Sequence, residues 1–214
     1  MGKPKKEMPP DGWAHLNRVS LNRRNRELKA TAFKEVEPVE FLIESVRSPR
    51  YQLIAWISYY TAQRANACCW LEHRDLNSYV TFRKAHAKTK KPHKVQYHPK
   101  LKEKIQFCLD ERSIPLTGYL FPARTGSKRE VLSTSGYDKA IARAVDTLIA
   151  SGHPEYKGCS THTFRRSRLQ YLYYTQGWTF TQIQVISGHK SLASLIEYLE
   201  PDIEEVSDMY MQTD

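Results

Sequence analysis

Two short segments in the C-terminal part of the chain carry residue types that could bind and attack an anion. In the first, Thr161-His-Thr-Phe-Arg, His162 and Arg165 lie three residues apart. This spacing places both side chains on one face of a helix, where they could converge on a single anion. Surface pairs of this kind are common, so the segment indicates an anion site only in combination with others.

The second segment is Ile186-Ser-Gly-His-Lys-Ser, followed by Tyr198. An unbroken helix would put His189 and Tyr198, nine residues apart, on opposite faces. Gly188 and Ser191 predict a break instead, because glycine commonly ends a helix and serine commonly caps the next one. We therefore expect His189 in a loop and Tyr198 close to it on the following helix. The alternative is that Tyr198 is one of many core tyrosines.

Basic residues in two other places could contribute to the same site. Arg64 follows the strongly apolar segment 53–61, at a turn that leads into another short helix. Lys88, Lys90 and Lys91 fall between two predicted strands, where lysines at a hairpin tip could enter a DNA groove. The ordinary alternatives are an arginine that satisfies backbone carbonyls and lysines that are merely exposed.

The apolar pattern around these residues predicts a mainly α fold with a small antiparallel β-sheet (α+β). We expect strands over 79–82 and 95–97, and helices over 38–46, 53–61, 65–71, 99–109, 161–173, 180–186 and 192–199. A further helix should carry Ile141, Val145 and Leu148, with Ser133 or Ser135 as its cap. No internal repeat or long linker interrupts this series. We therefore predict one domain over residues 36–200, preceded by a basic arm (1–35) and followed by an acidic tail (201–214).

The charge distribution indicates a polyanionic partner. The 214 residues include 33 Lys and Arg against 23 Asp and Glu, a net charge of +10. The excess is concentrated in 1–34 and 81–104, whereas 197–214 holds acids and no base. Nucleic acid is the simplest partner for such a chain. The apolar run 53–62 is too short for a membrane span, and the four cysteines lack CxxC spacing, so we expect a cytoplasmic protein with no membrane partner.

Taken in order, these residues resemble the catalytic domain of the tyrosine recombinases (integrases), including the lambda-integrase-like and Xer-like members. The family pattern Arg, Lys, His-x-x-Arg, Gly-His and Tyr is matched by Arg64, Lys88, His162, Arg165, His189 and Tyr198. The intervals agree too: Lys88 follows Arg64 by 24 residues, and His189 precedes Tyr198 by nine. The resemblance covers about residues 36–200.

Two departures from the family pattern surround Arg64. Ala67 occupies the position of the usual acid, and the usual Thr-Gly-Leu-Arg turn reads Thr61-Ala-Gln-Arg here. We therefore expect a different partner to orient Arg64. The basic arm 1–35 stands where the family has a separate N-terminal core-binding domain, so we expect either a natural minimal recombinase or a fragment.

The resemblance implies a specific phosphoryl-transfer chemistry. Tyr198 would attack a scissile phosphodiester, form a 3′-phosphotyrosine and release a 5′-hydroxyl. Arg64 and Arg165 would hold the two non-bridging oxygens, while His189 donates a further hydrogen bond. Lys88 would protonate the leaving oxygen and His162 would serve as general base. Neither a metal nor any other cofactor is expected, since the two guanidinium groups supply the positive charge.

Several points stay open at the level of sequence. Lys90 and Lys91 are rivals of Lys88 for the role of general acid. Further DNA contacts are expected from Lys84, Lys90, Lys91, Lys94, Arg166 and Lys190. Recombination on paired sites implies a dimer to tetramer on double-stranded DNA. The acidic tail has an apolar stripe formed by Ile203, Val206 and Met209. This stripe could dock either on a neighbouring protomer or on the protomer to which the tail belongs. A catalytically impaired DNA-binding regulator and a type IB topoisomerase-like enzyme remain alternatives.

The basic segments predict that DNA binding weakens steeply with salt. Each neutralised phosphate releases condensed counterions, so the logarithm of the association constant should fall linearly with the logarithm of salt concentration, with a slope of about −0.9 per phosphate contact. Fluorescence anisotropy of a labelled duplex at salt concentrations between about 50 and 200 mM measures this slope. A slope near zero would contradict the predicted phosphate contacts.

Overall fold

A computed structural model describes residues 30–83 and 92–199 of the chain. In this part of the chain, strands β1 (Tyr79–Phe82) and β2 (His93–Gln96) pair antiparallel, with Val80 opposite Val95. The helices are α1 (Glu37–Glu44), α2 (Pro49–Thr61), α3 (Ala65–Cys69), α4 (Pro99–Asp110), α5 (Thr134–Ala150), α6 (Thr163–Gln170), α7 (Phe180–Ser187) and α8 (Leu192–Leu199). The predicted mainly α fold with a small antiparallel sheet is confirmed.

Helix α2 is the centre of the main hydrophobic core. All nine residues from Leu53 to Thr61 are buried. Most are aliphatic or aromatic, and the hydroxyls of Ser58 and Thr61 donate to backbone carbonyls. It packs against α4 on one side and α6 on another. Among the described residues, no helix combines the length and the apolar character that a membrane crossing requires.

A smaller second core holds α7 and α8 against α6. It consists of six buried residues: Ala62, Leu169, Leu172, Ile183, Leu195 and Leu199. Ala62 directly follows α2 and adopts a left-handed conformation (φ 52°), which turns the chain out of the main core. The end of α2 thus lies at the junction between the two cores, beside the helices that carry the predicted site residues.

The predicted break between α7 and α8 is confirmed. Gly188 ends α7 with a left-handed φ of 68°, a conformation that glycine adopts without steric cost. Ser191 Oγ then accepts a hydrogen bond from the backbone N–H of Ser194 at 3.3 Å, which caps the start of α8. His189 lies in the turn between these two helices.

Two boundaries in the same region differ from the prediction. Helix α6 begins at Thr163, whereas the pattern predicts a start at Thr161. The hydroxyl of Thr163 accepts a hydrogen bond from the backbone N–H of Ser160 at 2.9 Å, which holds 160–162 as a turn. His162 is therefore the residue that precedes the helix. After Gln170 the chain widens into a π-helical turn over Tyr171–Thr175, which the 3.6-residue periodicity did not predict.

Tyr137 offers a direct test of core packing. Its side chain is fully buried, and its hydroxyl has no hydrogen-bond partner among the described residues. Removal of an unpaired buried hydroxyl avoids its desolvation cost, so Tyr137→Phe should raise the free energy of unfolding by about 1 kcal/mol. Chemical denaturation followed by circular dichroism measures the change.

The matched control is Tyr174→Phe, because the Tyr174 hydroxyl donates a 2.6 Å hydrogen bond to the carbonyl of Leu199. This substitution should lower the free energy of unfolding by about 1 kcal/mol. Equal losses in both variants would show that the Tyr137 hydroxyl has a stabilising partner.

Candidate active site

Arg165, in the first turn of α6, is the buried centre of the candidate site. Its side chain is only 1% exposed. The guanidinium donates hydrogen bonds to two backbone carbonyls, those of Ala62 and Ser187, the second at 3.2 Å. Because Ala62 follows α2 and Ser187 ends α7, Arg165 joins the ends of two helices that come from different cores.

His189 and Tyr198 both lie against this guanidinium. The Nη2 atom of Arg165 is 2.9 Å from Nε2 of His189, and the Arg165 Cζ atom is 5.4 Å from the centre of the Tyr198 ring. The His189 and Tyr198 rings are 5.0 Å apart, centre to centre. The prediction that the break after α7 brings His189 to Tyr198 is therefore confirmed. The structure places three of the predicted site residues in direct contact.

The His189 ring is held by its own turn. The Ser187 hydroxyl lies 2.7 Å from Nδ1 of His189, and Gln184 Nε2 donates a 3.1 Å hydrogen bond to the His189 backbone carbonyl. Both partners come from the last turn of α7. The imidazole therefore has one nitrogen facing Ser187 and the other facing Arg165.

Arg64 brings a second positive charge to the same place. It precedes α3, is half-buried, and lies close enough to Arg165 to lower the pKa of that side chain. In the described ranges, 30–83 and 92–199, no carboxylate forms an ion pair with either arginine. Two neighbouring guanidinium groups without a carboxylate make a strong site for a bidentate anion such as a phosphate.

Burial and the two arginines determine the protonation states. Burial, with the repulsion from Arg64 second, lowers the pKa of Arg165 to about 10, so its guanidinium remains charged at neutral pH. Burial also lowers the pKa of His189 to about 3, and the charges of Arg165 and Arg64 act in the same direction. His189 is therefore a neutral imidazole over the whole physiological range.

The remaining predicted site residues differ in their placement. His162 is exposed and lies one helical turn from Arg165. Lys88 lies outside the described residues, as do Lys84, Lys90 and Lys91. Lys94 on β2 and Lys190 beside His189 are exposed, and their DNA contacts stay predictions.

Arg166 makes contacts within the protein. Its Nε donates to the backbone carbonyl of Tyr198 at 3.4 Å, and its Nη1 donates to the carbonyl of Ala30 at 2.7 Å. The carbonyls of Tyr198 and Leu199 also accept from Gln170 and Tyr174. The end of α8 is thus held against α6 and the π-helical turn. These contacts determine the backbone position of Tyr198.

Sequence reasoning did not identify His93 as part of this region. Its Nε2 is 2.8 Å from the backbone carbonyl of Ile186 and, because a carbonyl can only accept, this nitrogen is the protonated donor. The contact joins β2, at the base of the hairpin, to the end of α7. A Cβ at Gly188 would approach the His93 ring to 3.2 Å, so glycine serves both the turn and this close packing. No feature of the sequence singles out His93.

Gln63 is a second residue that the sequence did not assign to the site. It is 9% exposed, and its amide donates hydrogen bonds to backbone carbonyls at the ends of both α2 and α7. One feature of the sequence could have identified Gln63: it is a polar residue at the position beside Arg64 where the family usually has leucine.

The neutral state of His189 can be tested by NMR. In the folded protein its imidazole should stay neutral from pH 8 down to about pH 4, because its pKa is about 3, whereas a histidine in an unfolded chain titrates near 6.5. Between these values the unfolded state binds more protons, so this group makes the folded state less stable as pH falls from about 6.5 toward 3. Selectively ¹⁵N-labelled histidine, assigned with His189→Asn, reports the protonation state. Titration of His189 near pH 6.5 would contradict the assigned environment.

Known proteins share the sequence profile and the fold of this chain. The sequence profile of the phage integrase family matches residues 32–205. No match was found among curated protein sequences. Among solved structures, XerA recombinase is similar with a TM-score of 0.63 and 21% identity, over 86% of this chain and 64% of that chain.

Two further structures similar to this chain contain DNA. XerH recombinase, bound to a palindromic difH substrate in a post-cleavage complex, has a TM-score of 0.62 and 21% identity, over 86% of this chain and 54% of that one. A lambda integrase (75–356) dimer bound to a COC′ core site has a TM-score of 0.59 and 18% identity, over 81% and 61%. The chain thus spans less than two thirds of each of these recombinases. The family profile covers most of the chain and the fold agrees with it, so the chain belongs to the phage integrase family of tyrosine recombinases.

Proposed function

We propose that this protein is a site-specific DNA recombinase that cleaves and rejoins strands through a 3′-phosphotyrosine. The observation that carries the proposal is the contact of Tyr198 with Arg165, close to Arg64, in a site where the described residues place no carboxylate against either arginine. A nucleophile beside two unneutralised guanidinium groups suits attack on a phosphodiester. The same arrangement would serve integration, excision or inversion.

The proposed cleavage step assigns a role to each group. The Tyr198 oxygen bonds to phosphorus while the bond from phosphorus to the 5′-oxygen breaks. Arg64 and Arg165 bind the non-bridging oxygens, on which negative charge develops. Neutral His189 donates a further hydrogen bond in the tautomer protonated on Nε2, in which Nδ1 accepts from the Ser187 hydroxyl. A tyrosine hydroxyl, with an ordinary pKa of about 10, is a weak nucleophile at neutral pH, so its proton must pass to a base, which we assign to His162. Lys88 is the proposed donor of a proton to the leaving 5′-oxygen.

Strand joining reverses this step. A 5′-hydroxyl of a second DNA strand attacks the phosphotyrosine, the bond from phosphorus to Tyr198 breaks, and the phosphodiester reforms without an external energy source. Exchange between two sites requires at least two protomers, and the lambda integrase neighbour is a dimer on its DNA site. We therefore propose double-stranded DNA as the partner, bound by a dimer to tetramer on paired sites.

A nicked suicide duplex tests the proposal. With the candidate recombination site placed beside the nick, the wild-type chain should form a covalent adduct that survives denaturing electrophoresis, because the short released strand diffuses away. Tyr198→Phe should form none, since it lacks the attacking oxygen. Tyr119→Phe is the matched control and should form the adduct at the wild-type rate, because Tyr119 lies in a loop and its hydroxyl faces Glu130. Candidate duplexes come from the repeats that flank the gene in its genome.

The outcomes separate the alternatives. DNA binding without an adduct on any of these duplexes would favour a catalytically impaired regulator. The observation behind this alternative is Ala67, which stands where the family has an acid. Relaxation of supercoiled plasmid by a monomer, without a synaptic complex on paired sites, would favour a type IB topoisomerase-like enzyme. An adduct that depends on Tyr198, together with synapsis of paired sites, supports the recombinase.

A further inference from the structure

Gln63 lies between the two turns that carry the site's arginine and histidine. Its Nε2 donates to the backbone carbonyls of Ile186 and Ser187 at 3.3 and 3.1 Å, and to that of Thr61 at 3.3 Å. Its own backbone carbonyl accepts a 2.7 Å hydrogen bond from the Ser58 hydroxyl. One buried amide therefore connects the turn before Arg64 to the turn before His189.

Arg165 connects the same two turns. Its guanidinium donates to the carbonyls of Ala62 and Ser187, so the Ser187 carbonyl accepts from both Arg165 and Gln63. A carbonyl oxygen has two lone pairs and can serve both donors. The two turns are thus held together twice, once by a charged side chain and once by a neutral one.

Phosphate binding would change these two links unequally. A phosphate oxygen is a much stronger acceptor for a guanidinium than a neutral carbonyl is, so Arg165 would give up donors that now reach Ala62 and Ser187. The neutral amide of Gln63 gains far less from an anion and remains on its carbonyls. The Gln63 link is then the one that persists when the substrate is bound.

We propose that Gln63 is a positioning residue, which keeps the Arg64 turn in register with the His189 turn while Arg165 binds the scissile phosphate. The inference rests on the proposed function, and it assigns to Gln63 the orienting task left open at Ala67, where the family's acid is absent. Gln63 acts through the backbone on both sides of the site and does not itself touch the reacting atoms.

The test replaces Gln63 by methionine in the full chain, since methionine has similar length and no donor. The matched control is Gln52→Met: the Gln52 amide also donates to two backbone carbonyls, those of Val46 and Glu44 at 2.7 and 3.3 Å, but it does so at the junction of α1 and α2. Melting temperature, duplex affinity and the single-turnover cleavage rate on a saturating suicide duplex are measured for each variant.

We expect Gln63→Met to cleave about 10- to 100-fold more slowly at saturating DNA, because small displacements of positioned groups have effects of this size. Its DNA affinity should stay within about twofold of wild type, since most phosphate contacts are made elsewhere. Gln52→Met should lose a similar amount of thermal stability and cleave at the wild-type rate. This combination supports positioning. A purely structural role would lower the stability of both variants without slowing cleavage by Gln63→Met alone.

A shorter amide, Gln63→Asn, provides a second variant in case the methionine chain does not fold. It keeps the polar group but loses the reach to both turns, so it should show the same loss in rate with unchanged affinity. Wild-type cleavage by either folded variant would overturn the inference, and so would the failure of both to fold, which would make Gln63 purely structural. If the wild-type chain itself forms no adduct, the proposed function fails instead.

Discussion

The buried guanidinium of Arg165 is the interaction on which the arrangement of the site depends. A charged group that is 1% exposed needs acceptors for its donors, and in the described residues two backbone carbonyls accept from its Nη atoms in place of a carboxylate, while its Nε has no partner there. Because those carbonyls belong to Ala62 and Ser187, the two helix ends must lie where Arg165 can reach them. The charge remains uncompensated, which is costly for a folded protein and useful for one that binds phosphate.

The two helix ends can present these carbonyls only because the chain turns sharply at each of them. Ala62 and Gly188 both have left-handed backbone conformations, with φ of 52° and 68°. At Gly188 the conformation is free of steric cost, and the absent side chain also admits the His93 ring. At Ala62 it carries a modest cost, which burial of the methyl group in the second core helps to offset. Each turn is thus supported by packing around Ala62 or Gly188. Each is also supported by the hydrogen bond that Arg165 donates to the carbonyl of Ala62 or Ser187.

Some elements were readable from local pattern because local physics decides them. The apolar run 53–61 forms the buried centre of α2, the β-branched and aromatic residues of 79–82 form β1, and Gly188 with Ser191 interrupts α7 and α8 as predicted. The pattern predicts the start of α6 two residues too early, because the hydrogen bond from the Ser160 N–H to the Thr163 hydroxyl competes with helical pairing at that end. The π-helical turn after Gln170 has no comparable pattern, and the hydroxyls of Tyr174 and Thr175 within it donate to the backbone carbonyls of Leu199 and Lys34, which lie far away in the chain.

The sequence by itself determined the residue types of the site, their order and their spacing, and with them the family. It could do so because Arg64, Arg165, His189 and Tyr198 stand at intervals that helices and turns of ordinary length produce. Only the tertiary structure decided which residues hold them in place. Gln63 and His93 reach carbonyls 123 and 93 positions further along the chain, and no local periodicity records such a contact. Their role exists only once two separate cores have packed together and brought the end of α2 beside the end of α7.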